Sequence, residues 1–154
     1  MNRKSPQPTT QQLRDFYRIA APQLRYPILW FDPPDLHAIA EAFSTVIQGE
    51  KLTCYACAAL RNHAHLLVRK HRLKYEEIAH RLKTASADVL RRRKDAALTH
   101  PIWSAESCSV YKDSVESMRT CIRYIDSNPP KHHLPAQQWE FVTPYDDWPF
   151  HRSR

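Results

Sequence analysis

Arg61-Asn62-His63-Ala64-His65-Leu66-Leu67-Val68 sets two histidines around one small residue at the head of an apolar run. Side chains alternate between faces along a β-strand, so a strand here turns His63 and His65 to the same side. The apolar stretch 52–60 just before it supplies a partner strand, and Arg61-Asn62 reads as the hairpin connection. The spacing predicts two central antiparallel strands over 52–60 and 63–69, with an imidazole pair on one face. Neutral imidazole is a strong nitrogen donor, and two side by side make half of a divalent-metal site.

Outward from the hairpin, residues 1–12 are polar, hold two prolines and read as a disordered tail. Residues 13–150 read as a single domain. Stretches 16–21 and 27–31 look like two further strands around a turn at Pro22. Asp32-Pro33-Pro34-Asp35 supplies a helix start, with Asp as cap and prolines in the first turn. Leu36, Ile39, Phe43 and Val46/Ile47 follow at helical spacing, and Gly49, the only glycine, stands where a helix C-cap takes a positive φ. A second helix is predicted over 75–94, with Ile78, Leu82, Ala85 and Val89 inward. Residues 102–111 read as irregular or as a short strand. Asp113-Ser114-Val115-Glu116 resembles a capping box and opens a third helix, which Pro129-Pro130 should stop near Ser127. The proline- and tryptophan-rich end reads as an extended tail over the core. The order ββα, ββ, α, α implies an α+β fold, a mainly antiparallel sheet with helices packed on it.

Composition narrows the class. The 154 residues suffice for one core, no run approaches a membrane span, and the N-terminus lacks the apolar core of a signal peptide. Four cysteines are too few for a disulfide framework, which points to a reducing, cytoplasmic setting. Cys54 and Cys57 form a C-x-x-C, but three steps along a strand put them on opposite faces, so they read as buried apolar side chains. Lys and Arg number 23 against 16 Asp and Glu. Residues 69–94 hold ten of the cations and only three of the acids, so the whole net charge of +7 sits in one segment. Such a patch suits phosphates, and Arg91-Arg92-Arg93-Lys94 is its densest part.

On the third helix Val115, Met118, Ile122 and Ile125 form an apolar stripe. At about 100° per residue the stripe centres near 320° from Val115, whereas Tyr124 lies near 180° and Asn128 near 220°. Tyr124 thus points away from the stripe, with Asn128 one turn on and on the same side. A tyrosine hydroxyl can attack a phosphodiester and hold the product as a phosphotyrosine, conserving the bond for rejoining. A divalent ion held by two imidazoles and an amide oxygen would neutralise the attacked phosphate. His63, His65, Asn128, Tyr124 and the basic segment make a consistent kit for cutting and joining single-stranded DNA.

Asn62-His63-Ala64-His65-Leu66-Leu67-Val68 is similar to the N-H-x-H-l-l-v strand of the HUH single-tyrosine transposases, and within them of the REP-associated tyrosine transposases. Tyr124-Ile125, Asn128-Pro129 and Lys131 resemble that family's Y-I-x-x-N-P-x-K block, Ile102-Trp103 its apolar-Trp pair, and Asp147-Trp148-Pro149-Phe150 its Trp-Pro ending. The resemblance implies a ferredoxin-like palm and Mg²⁺ or Mn²⁺ held by His63, His65 and Asn128. It also implies Tyr124 joined to a 5′ phosphate, a free 3′ hydroxyl, and hairpin-containing single-stranded DNA as partner. Arg91, Arg92, Arg93, Lys94 and Lys131 are candidate DNA contacts. His132 or His133 could also approach the phosphate. The chain departs from the family where Pro130-Lys131-His132-His133 stands in place of a common glycine, and an early Arg-Gly is missing. Relatives act as monomers or as dimers that exchange the tyrosine helix, so a homodimer stays open. Two alternatives remain: a domesticated, non-catalytic DNA- or RNA-binding regulator on the same scaffold, and a metal-dependent phosphohydrolase in which Tyr124 is incidental.

Overall fold

A computed structural model describes residues 9–20, 26, 28–95, 100–105 and 107–150. The first element is a helix, α1 (Thr10–Ala20), where the sequence reading expected a strand over 16–21 and a tail up to residue 12. The reason is local. Thr9 Oγ1 accepts from the Gln12 N–H (3.2 Å) while Gln12 Oε1 accepts from the Thr9 N–H (2.8 Å), a reciprocal cap. From Gln11 to Ala20 the only β-branched residue is Ile19, so little favours an extended chain. Residues 1–8 and residue 21 lie outside the described residues. The other expected strand is also not formed over 28–31. There Phe31 donates a single backbone hydrogen bond to Arg61 O (2.7 Å), a tether to the hairpin turn rather than a ladder.

Helix α2 (Pro33–Gly49) starts as the sequence predicts, with Asp32 as N-cap, Pro33 and Pro34 in the first turn, and a capping box closed by Asp35. Its end differs. Gly49 is still helical, and the left-handed residue is Lys51 (φ 56°), two positions later. The Lys51 N–H donates to Gln48 O and the Leu52 N–H to Ile47 O, the two bonds of a Schellman motif, which makes Lys51 the residue after the cap. Helix α3 (Tyr75–Lys94) matches its expected span and packs on α2. Leu82, Ser86 and Leu90 form its most buried line. Ser86 Oγ accepts from Trp103 Nε1 (2.9 Å), and the Trp103 ring meets Phe31 edge-on, so the Ile102-Trp103 pair pins the segment after α3 to the core.

Among the described residues the sheet has two antiparallel strands, β1 (Cys54–Ala59) and β2 (Ala64–Val68), paired from Cys54↔Val68 to Ala59↔Ala64. Every residue of β1 is buried. Ala64, Leu66 and Val68 of β2 pack with Phe31, Ile39 and Phe43, on the side of α2. Leu67 packs on the opposite side with Tyr55, Ala58, Met118 and Ile125, against helix α4 (Val115–Lys131). An irregularity between Cys54 and Ala56 shifts the register, and both Cys54 and Cys57 join the α2-side core. That corrects the opposite-face reading, because one extra residue in a strand flips the alternation beyond it. Burial pushes the Cys54 thiol up to about 12 and Cys57 well above its ordinary value, so both behave as apolar side chains.

The outer edge of β1 is covered by the chain after α4. Ala59 N–H donates to Gln137 Oε1 (2.9 Å), and Gln137 Nε2 donates to Ala59 O (2.8 Å). Farther along, the Thr143 N–H donates to Cys54 O (2.7 Å) beside a bridge between Cys54 and Val142. The tail then crosses the α4-side core, where Tyr55 donates to Asp146 (2.8 Å) and Arg69 lies 4.4 Å over the Trp148 ring.

Candidate active site

The strand alternation works as read for the histidines. His63 immediately precedes β2, His65 lies within it, and both point to the α4 side with their ring centroids 4.9 Å apart and nearly perpendicular. Desolvation lowers the His63 pKa from its ordinary 6.5 to about 4, with the neighbouring His65 and His132 adding to the shift. Burial, then His132, lowers His65 as well. Both rings are therefore neutral near pH 7, the form that can donate a nitrogen lone pair. His63 Nδ1 lies 2.7 Å from Asn62 Oδ1.

Helix α4 delivers the remaining groups. Ser114 caps it in a reciprocal pair with Ser117, and Met118 and Ile125 bury its inner stripe. The helix does not stop at Pro129-Pro130 as expected but runs through both prolines to Lys131. Pro129 and Pro130 leave the carbonyls of Ile125 and Asp126 without their helical N–H partners, while the end of the helix is capped from beyond. His133 N–H donates to Pro130 O and Leu134 N–H to Pro129 O, a second Schellman motif, with His133 at φ 57° and Leu134 buried. Asn128 and Lys131 are consequently helical residues, one and about two turns after Tyr124.

The Tyr124 ring, 44% exposed, stands 5.7 Å from the His65 ring between centroids, tilted by 73°. Lys131 Nζ lies 5.6 Å from the centroid of the same ring. The His132 ring is 5.8 Å from that of His63, so a third imidazole reaches the pair. Asn128 is buried at 5% exposure and donates Nδ2 to its own helix at Tyr124 O (2.9 Å). Its amide oxygen accepts no hydrogen bond among the described residues. Nor does any group of three or more His, Cys, Asp or Glu among them form a metal cage. A cation at the histidine pair would therefore need a different third donor, and two neutral imidazoles together with an uncommitted amide oxygen are donor types that suit a divalent ion.

The basic run behaves less uniformly than its sequence suggests. Arg93 pairs with Asp35 (3.0 Å), and Lys94 pairs with Asp35 and Asp32. Arg91 donates to His100 O (2.9 Å) and sits 3.6 Å from Asp88. Burial alone would raise the Asp35 pKa, but the hydrogen bonds from Lys94, the Asp32 N–H and Arg93 outweigh it and hold the carboxyl below its usual 3.8. Of the four cations, Arg92 is exposed and has no such partner among the described residues. An open cleft of about 600 Å³ between α2 and α3, lined by Thr45, Glu50, His80 and Arg81 among others, includes none of the site residues.

Sequence reasoning took Asn62 as a turn residue and as the first residue of the N-H-x-H-like block, and gave it no role at the site. The signal was present, since a polar side chain directly beside a candidate ligand can act on its ring. The family described as "Transposase IS200 like" matches residues 16–128, a span that contains His63, His65, Tyr124 and Asn128. No curated protein and no solved structure matches the chain.

Proposed function

Since this chain belongs to the IS200-like transposases, a family that acts on DNA, we propose that it cuts and rejoins hairpin-containing single-stranded DNA through Tyr124. The subtype we assign is that of the REP-associated tyrosine transposases. The observation that carries the reading is the Tyr124 ring 5.7 Å from His65, since it joins two sequence blocks some sixty residues apart.

The Tyr124 oxygen attacks the phosphorus, a Tyr–O–P bond to the 5′ phosphate forms, and the P–O3′ bond breaks. The phenol proton leaves to solvent, and the departing 3′ oxygen takes one up. Rejoining reverses this: a 3′ hydroxyl attacks the phosphotyrosine and Tyr124 regains its proton. His63, His65 and Asn128 would hold Mg²⁺ or Mn²⁺, which when bound neutralises phosphate charge and polarises the scissile bond. Lys131, whose Nζ lies 5.6 Å from the centroid of the Tyr124 ring, meets the phosphate. In the Arg91-Arg92-Arg93-Lys94 run we assign the DNA contact to Arg92, because its three neighbours are engaged within the protein. A reducing, cytoplasmic setting belongs to the same reading, in keeping with four free cysteines.

The test is a labelled hairpin-bearing single strand incubated with Mn²⁺ and resolved under denaturing conditions. The natural chain should give a covalent protein–DNA adduct, and Tyr124→Phe should give none while binding the strand within about twofold. An adduct that survives Tyr124→Phe removes Tyr124 from the chemistry. Binding without any adduct from the natural chain, in Mg²⁺ or Mn²⁺, turns the reading into that of a regulator.

A further inference from the structure

We infer that Asn62 is a positioning residue that fixes the tautomer of His63 and thereby aims Nε2 as its ligating nitrogen. The inference rests on the metal-dependent reading above only for what Nε2 would hold.

A neutral imidazole carries one ring proton, and the nitrogen without it is the one able to ligate. His63 Nδ1 lies 2.7 Å from Asn62 Oδ1. An amide oxygen can only accept, so this contact is a hydrogen bond only when the proton sits on Nδ1. The Nε2 lone pair is then bare. The opposite amide orientation would present an N–H to Nδ1, send the ring proton to Nε2, and close that nitrogen to a cation.

The acceptor is held on both sides. Leu60 N–H donates to His63 O (2.8 Å), which closes the turn, and Phe31 N–H donates to Arg61 O (2.7 Å), which ties the residue before Asn62 to the lead-in of α2. Asn62 and His63 are adjacent, so their side chains meet because the turn bends between the strands. Hydrogen bonds from the second nitrogen of a ligating histidine commonly orient such rings. His65 has no equivalent: among the described residues it lies against the rings of His63 and Tyr124 and near His132, and neither nitrogen is hydrogen-bonded. The two histidines should therefore differ, with His63 locked as the Nδ1–H form and His65 free to take the Nε2–H form that histidine prefers in water.

Two-bond ¹H–¹⁵N spectra of the metal-free full chain at pH 7.5 distinguish the forms, with His63→Gln assigning the resonance. The expected result is a protonated Nδ1 and bare Nε2 for His63, retained in Asn62→Asp and lost towards Nε2–H in Asn62→Leu. Titration with Mn²⁺ alone should weaken about 10–100-fold in Asn62→Leu and recover in Asn62→Asp. An Nε2–H form of His63 in the natural chain overturns the inference. So does a tautomer or an Mn²⁺ affinity that Asn62→Leu leaves unchanged. If Asn62→Leu fails to fold, the natural chain's spectrum and Asn62→Asp still decide. These readings need no DNA, so a failed adduct assay and a failed tautomer assignment are separate results.

Discussion

His63 carries a cost that pH can reveal. Its imidazole titrates near 4 in the folded chain and near 6.5 when unfolded, so between those values the unfolded chain binds more protons. Stability from this group is complete above about pH 6.5 and is lost as the pH falls towards 4. His65 and His132 are shifted in the same direction and add to the slope. The urea midpoint should therefore decline steadily from pH 6.5 to 4, and His63→Gln should flatten part of that decline. A midpoint constant across the window would mean that these rings stay hydrated. At this scale the sequence was a good guide wherever a residue's direction depends on simple periodicity. His63 and His65 share a face, and Tyr124 leaves the buried stripe, as alternation and helical spacing require. It misled where one residue changes the count. The irregularity after Cys54 brings Cys57 round to the same core, and the left-handed position after α2 falls on Lys51 rather than Gly49.

Among the elements, α3 shows how a charge run can serve two ends. Arg93 and Lys94 neutralise Asp35, which is only 1% exposed and also caps α2, so they build the α2–α3 junction. Arg93→Ala should lower stability by about 1–2 kcal/mol, less than a fully buried pair because Arg93 is partly exposed and Lys94 remains. It should leave the salt dependence of DNA binding nearly unchanged. Arg92→Ala should do the reverse, with little effect on unfolding and a salt slope reduced by about one unit. Equal slopes for both variants would return Arg93 to the DNA face. Charge counting found the segment but could not see the partners, because Asp35 belongs to α2 and Asp32 and Glu50 are the caps at its two ends. Helix α2 was legible from its cap and apolar spacing, and α3 from apolar spacing alone, although of Ile78, Leu82, Ala85 and Val89 only Leu82 is buried. Helix α1 was not, since its start rests on the reciprocal hydrogen bonds of Thr9 and Gln12, residues that lie in or at the edge of a stretch whose polarity reads as a tail. Helix α4 outran its prolines because the Schellman turn at His133 satisfies its last carbonyls, and that extension carries Asn128 and Lys131.

Considered whole, the chain brings its histidine pair and its tyrosine together without help. Tyr124 meets His65 of the same chain, so a mixture of His63→Ala and Tyr124→Phe proteins should not regain adduct formation. Recovery of activity on mixing would show that chains exchange α4. The sheet that carries the histidines is small, and the tail covers its outer margin through Gln137 at one end and Val142 and Thr143 at the other. Gln137 offers an N–H and a C=O to Ala59 in the manner of a neighbouring strand's peptide group. Position 137 should thus obey the rules of main chain rather than of a surface side chain. Glutamate there has the same outline but no proton to give, so Gln137→Glu would set an anionic oxygen against the Ala59 carbonyl and unseat the tail. Light scattering should then detect chains associating through the bared margin, while an unchanged monomer would mean that Val142 and Thr143 suffice as its shield.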